Sequence, residues 1–253
     1  MYLLEMLRDD PLRFLDFTLY RVPAVLIALC CHEWGHAFVA YLCGDPTAKL
    51  MHRMTVNPLR HLDPVGTLML FFLGFGWAKP VPVNPYNFRN PRWDDFKVSI
   101  AGISVNLILF LVCTFALVGL TYYAWMPEVL RYYSLTDLMG LDSGIALNIM
   151  YGYGGVNAEF MRHPGALPVM RMLMQIAQIN LSIALFNLIP VPPLDGYHVF
   201  NDLLLRGRWH ITPRQAQIGM GLVMAVSFLT NWLSVALSWA AASIQALVLR
   251  PFM

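Results

Sequence analysis

Apolar runs without a charge dominate the chain. Residues 98–125 (28 residues), 172–194 (23 residues) and 216–249 (34 residues) contain no Asp, Glu, Lys or Arg. A helix needs roughly 20 such residues to cross the hydrocarbon of a bilayer, so each run is predicted to span. The last is long enough to tilt, or to break near Thr230 and Asn231. A fourth run, residues 22–42, is also long enough but carries His32, Glu33 and His36. Ionisable groups at membrane depth cost several kcal/mol unless paired or solvated, which makes them functional candidates. Two further stretches are less regular. Residues 65–77 are too short to span and contain Gly66, Gly74 and Gly76, which predicts a re-entrant or interfacial segment. Residues 138–158 hold Asp142 and the glycines 140, 144, 152, 154 and 155, which disfavour a regular helix and predict an irregular, partly membrane-associated loop. Residues 1–20 mix acidic and basic side chains with Leu and Phe, as an interfacial amphipathic segment does and a cationic signal peptide does not.

The expected fold class is therefore an all-α polytopic membrane protein. It has about four core transmembrane helices, up to six if the irregular stretches also span, and a re-entrant loop or β-hairpin near residues 65–85. A single integral-membrane domain is expected over 1–253, with an interfacial segment at 1–20, a core at 22–200 and a C-terminal transmembrane segment at 216–249.

Composition agrees. Apolar residues make up 58% and charged residues 13% of the chain, against about 25% charged in a soluble domain, and mean hydropathy is +0.55. The net charge of +2 offers no basic excess for nucleic acid. Cys30, Cys31, Cys43 and Cys113 have no CxxC spacing, so neither a disulfide framework nor a cysteine zinc site is expected. Residues 44–97 and 195–215 together hold 10 of the 17 Lys and Arg. The bias assigns these loops to the cytosol and both termini to the other side.

The chemistry concentrates in His32-Glu33-Trp34-Gly35-His36. On a helix, positions i and i+4 share a face, so both imidazoles can reach one metal ion. Glu33 is then placed to take a proton from water and pass it to a leaving amine. A catalytic zinc site normally has three protein ligands and one open position. Asp195 is the candidate third ligand, at the end of Asn187-Leu-Ile-Pro-Val-Pro-Pro-Leu-Asp195-Gly196, where Pro190, Pro192 and Pro193 disrupt a continuing helix. Asp195 could instead simply cap the helix that follows. With four spans, His32, His36 and Asp195 fall on parallel helices toward the cytosolic face, which allows one site. Asn106, four residues after the small Gly102, is suited to bond a substrate backbone or a developing oxyanion, or to make an ordinary interhelix hydrogen bond; Asn187 has the same two readings. His198 points into the cytosolic segment, behind the ligands or toward solvent.

These residues resemble the site-2 proteases, the intramembrane zinc metalloproteases. The resemblance is carried by the HExxH helix, the Asn-Leu-Ile-Pro…Leu-Asp-Gly run ending at Gly196, Phe75-Gly76-Trp77-Ala78-Lys79-Pro80-Val81-Pro82-Val83-Asn84-Pro85, and Ala101-Gly102-Ile103-Ser104-Val105-Asn106. It covers about residues 22 to 200. It implies that His32, His36 and Asp195 hold one zinc per chain, that Glu33 is the base, and that Asn106 and Asn187 are substrate-binding or transition-state groups. It also implies hydrolysis of a peptide bond within or near a transmembrane segment of another membrane protein, of the anti-sigma factor, tethered transcription factor or signal-peptide-remnant type. The setting is a lipid bilayer, the prokaryotic plasma membrane, with the active site toward the cytosol. An edge within residues 68–77 is expected to hold the unwound substrate by strand addition. The family usually has Pro where this chain has Ile103, and no inserted PDZ-like domain is visible, as in the compact subgroup. The rival functions are a non-catalytic membrane-protein binder of the same fold and a zinc transporter, the latter disfavoured because the intramembrane ionisable residues form one cluster near one face.

Overall fold

The computed structural model describes residues 2–64, 66, 78–209, 211–230 and 232–252. Among the described residues there is no sheet, and four helices are long and apolar enough to cross a membrane: Pro11–Leu42, Pro91–Ala124, Pro164–Asn187 and Trp232–Phe252. Their lipid-compatible exteriors are visible in side chains such as Ile108, Val112 and Phe115, all exposed on one helix. The strand-addition segment expected at 68–77, and most of the expected re-entrant stretch, lie outside the described residues.

Proline and side-chain caps set the helix starts. Helix α1 (Tyr2–Asp9) leads directly into α2 (Pro11–Leu42). Asp10 caps α2 by accepting from the Arg13 N–H (3.0 Å), and Pro11 fills the first helical position, where its missing N–H costs nothing. Residues 11–20, part of the expected interfacial segment, are continuous with the rest of this helix. Short α3 (Thr47–Leu50) follows. Helix α4 (Pro91–Ala124) again begins with Pro and runs unbroken through Ile103, which is buried. Next come α5 (Pro127–Tyr132), α6 (Leu135–Met139) and α7 (Gly144–Met150), α6 and α7 being capped by the side chains of Ser134 and Ser143; α7 lies within the stretch 138–158 where the sequence predicts an irregular loop. They fold over the ends of α4 and α8 (Leu167–Asn187) around Leu138, Met139, Ile149, Met150, Met170 and Met174.

Helices α2, α4 and α8 pack against one another as the central bundle. Ala24, Val25 and Ala28 of α2 meet Ile179 of α8, while Phe110 and Cys113 of α4 pack with Ala177 and Leu181 of α8. Small residues bring α2 and α4 close: a Cβ on Gly35 would lie 3.2 Å from the Ala101 carbonyl oxygen. Beyond the proline-rich 188–194 connection, α9 (Asp195–Leu204) returns to pack on α4. The 34-residue C-terminal run is divided into α10 (Pro213–Leu229) and α11 (Trp232–Leu249), with Thr230 outside both. All four cysteines are free thiols.

Candidate metal centre

His32 and His36 lie one turn apart on α2 and face the interior, at 5% and 8% exposure. Asp195 enters from the first turn of α9, because the chain leaves α8 at Asn187 and cannot remain helical through Pro190, Pro192 and Pro193. Gly196 makes this sharp re-entry possible. A Cβ there would collide with the Leu188 carbonyl and lie 2.6 Å from the Ile189 oxygen. The three side chains form one group of potential metal ligands. His32 Nε2 is 3.2 Å and His36 Nε2 3.4 Å from Asp195 Oδ2, and the two Nε2 atoms are 3.0 Å apart.

The hydrogen-bond partners decide which imidazole nitrogens carry protons. His36 Nδ1 lies 2.7 Å from the Val98 carbonyl oxygen, which can only accept. Nδ1 is therefore protonated, and in the neutral ring Nε2 presents a lone pair. His32 Nδ1 lies 2.6 Å from Asn106 Oδ1, with the same consequence. With both rings neutral, two nitrogen lone pairs and a carboxylate oxygen thus converge, and Asp195 Oδ2 is buried without a hydrogen-bond donor. Such a trio is suited to hold a cation. Atoms held about 2.0–2.1 Å from one tetrahedral zinc lie roughly 3.3–3.4 Å apart, and the observed separations match to within a few tenths of an ångström. The donor set, two imidazoles and one carboxylate with a position to spare, is that of catalytic zinc sites. The residues present therefore fit the ion.

Gly102 of α4 forms the wall behind the imidazoles. A Cβ at this position would be 2.5 Å from His36 Nε2 and 2.6 Å from His32 Cε1. Glu33, half-buried beside the first ligand, accepts a 2.7 Å hydrogen bond from the Val81 N–H through Oε2. Pro80 and Pro82 have no N–H, so Val81 is the only backbone donor of these three residues. The extended segment is pinned by Arg53, whose Nη2 donates to the carbonyls of Lys79 (2.8 Å) and Pro80 (3.2 Å). It is pinned again by fully buried Asp45, which accepts from the Asn84 N–H (2.7 Å) and the Asn87 Nδ2 (2.8 Å).

The asparagines divide. Asn106 is completely buried and directs its oxygen to His32 and its nitrogen to Ala28 O (3.1 Å) and Asn180 Oδ1 (2.7 Å). Asn187 donates back to Ile183 O in its own helix (3.1 Å), and none of its hydrogen bonds reaches the three ligands. His198 pairs with Asp95 (2.9 Å), tying α9 to α4. Val81, Asp45 and Asn180 were not singled out from sequence. Asp45 and Val81 lie in loops without periodicity, and only the hydrophobic context of Asn180 in a span could have marked it.

Fold and site together define a polytopic helical membrane protein in which two histidines and one aspartate form a ligand cluster of zinc type beside a carboxylate. The chain belongs to Peptidase family M50, the site-2 protease family of zinc metalloproteases; the family model matches residues 20–230. It is 39% identical over 199 residues to the Bacillus subtilis protein named "Putative zinc metalloprotease YwhC", covering 77% of this chain and 75% of that one. Over 192 residues it is 26% identical to "Putative zinc metalloprotease Rip2" of Mycolicibacterium smegmatis, covering 74% of this chain and 58% of the relative. No solved structure matches the chain.

Proposed function

We propose that this chain is an intramembrane zinc metallopeptidase that hydrolyses a peptide bond within or near a transmembrane segment of another membrane protein, with its centre toward the cytosol. The observation that carries the reading is the convergence of three potential metal-ligand atoms beside a carboxylate inside a helical bundle.

One zinc ion held by His32, His36 and Asp195 would supply Lewis-acid chemistry, bringing the pKa of water toward neutrality and polarising the scissile carbonyl. The protein supplies the rest. Val81 fixes one oxygen of Glu33, and the other has no hydrogen-bond partner among the described residues. That oxygen accepts a proton from the attacking water and returns it to the leaving amine. Burial of both imidazoles in the bundle strengthens these interactions. A helical substrate hides its carbonyls in its own hydrogen bonds and must unwind locally to present one. The family's substrate types, anti-sigma factors, tethered transcription factors and signal-peptide remnants, all supply such a segment.

Zinc analysis of the purified full chain, together with cleavage of a transmembrane peptide in detergent or nanodiscs, tests the reading. We expect about one zinc per chain, lost in Asp195→Ala. Glu33→Gln should retain zinc and lose cleavage by at least about a hundredfold. Zinc-loaded wild type that cleaves no faster than Glu33→Gln would favour the non-catalytic binder. Uptake of zinc into sealed vesicles would favour the transporter.

A further inference from the structure

Asn180 on α8 is completely buried in the bundle, and its hydrogen bonds go to none of the three ligands. Its Nδ2 donates to the Ile176 carbonyl one turn earlier (2.8 Å), which leaves Oδ1 facing Asn106. Asn106 Nδ2 donates to that oxygen (2.7 Å) and to the Ala28 carbonyl (3.1 Å). Carbonyl oxygens only accept, so both amides are fixed in one orientation. The result is a one-way chain across three helices: His32 Nδ1–H donates to Asn106, Asn106 to Asn180, and Asn180 to Ile176. A flipped Asn106 would set its oxygen against two acceptors and its nitrogen against His32 Nδ1. That nitrogen would then have to accept, and the proton would move to Nε2, where it blocks ligation.

We propose that Asn180 is a positioning residue for the metal centre, holding the Asn106 amide and through it the ligating tautomer of His32. The inference rests on the zinc reading above. It also explains why two uncharged amides are kept in a fully buried seam, where each unpaired polar group is costly. Partners that orient ligating histidines typically change metal affinity 10- to 100-fold when removed. Asn180 acts one bond further out, and Ala28 still resists the flip, so the low end applies.

The test is zinc affinity of the full chain, measured by chelator competition, with wild type first. Asn180→Leu removes the acceptor and should weaken zinc about tenfold. In an Asn106→Leu background the same substitution should change affinity by less than about twofold, since the relay is already cut. Asn180→Asp, which when protonated can both accept from Asn106 and donate to Ile176, should stay within about threefold of wild type. Wild-type affinity in Asn180→Leu, or an equal loss in both backgrounds, overturns the proposal, the latter by showing a packing effect. Should the leucine variant not fold, 15N spectra of histidine-labelled, zinc-free Asn180→Ala give the answer. Mixed His32 tautomers are expected, and a pure Nδ1–H tautomer overturns the proposal. A wild-type chain that binds no zinc refutes the proposed function itself.

Discussion

Gly102→Ala adds one methyl group and should disable the metal centre while leaving the bundle assembled. The new Cβ would lie 2.5 and 2.7 Å from His36 Nε2 and Cε1 and 2.6 Å from His32 Cε1. Ordinary carbon contacts are about 3.5–4.0 Å, so the rings must retreat by roughly 1 Å. They are not free to do so. His36 is held at Nδ1 by the Val98 carbonyl and His32 by Asn106. A ligand set tolerates displacements of only about 0.5 Å before productive geometry is lost. Overpacking of this kind costs about 1–3 kcal/mol. The cost falls on the metal-competent conformation, which corresponds to a loss of zinc affinity of roughly 5- to 150-fold at 1.4 kcal/mol per decade. Chelator competition on the purified full chain measures it. Gly119→Ala on the same helix is the control, because its Cβ meets nothing within 4 Å; there, affinity should be unchanged and stability equal or higher. If Gly102→Ala binds zinc within about twofold of wild type, the imidazoles are not seated against α4 as described, and the reasoning fails.

Other outcomes are equally specific. Gly196→Ala places a methyl against the Leu188 and Ile189 carbonyls, which are backbone and cannot swing away; zinc content should fall together with thermal stability, and normal loading would contradict the tight re-entry of α9. Asp45→Ala takes a charged acceptor from the half-buried Asn84 N–H and the exposed Asn87 amide, and a hydrogen bond to a charged group is worth about 1.5–3 kcal/mol. The melting temperature should drop, and cleavage should decline more than zinc affinity because Glu33 loses its fixed Val81 partner; an equal decline would refute that link. The contact between α9 and α4 should respond to pH. Burial, and then the Asp95 charge, push the Asp202 carboxyl up to about 6. Burial opposes the charge on His198, but Asp95 outweighs it and holds the imidazole above its ordinary value. Both groups bind protons more tightly folded than unfolded, so their contribution is lost as pH rises, for Asp202 between about 4 and about 6. Melting temperature measured across that window should fall less in Asp202→Asn than in wild type, and parallel curves would show that the carboxyl does not titrate there.

Periodicity and run length were enough to locate the spans, because a bilayer forces about 20 apolar residues into each helix whatever the surrounding packing. The same logic put His32 and His36 on one face, since i and i+4 coincide by helix geometry alone. Asp195 followed from the proline-broken run before it and from the parallel sense of its helix. Elsewhere local signals misled. The glycines of 138–158 suggested irregularity, yet serine caps and burial against α4 and α8 produce short helices there. The charges of residues 1–20 suggested an interfacial segment, and they gave no sign that one helix runs from Pro11 to Leu42. The break of the last apolar run between Leu229 and Trp232 was among the alternatives the sequence allowed.

What the chain alone determined was its long apolar helices and the shared face of His32 and His36, because each depends on composition or on spacing within one segment. Only the tertiary structure decided that Gly102 backs the imidazoles, that Val81 holds Glu33, and that Asn180 reaches His32 through Asn106. These contacts join residues dozens of positions apart on different elements. Hydrogen-bond direction, and with it the protonation of each imidazole nitrogen, depends on which acceptor a neighbouring helix presents.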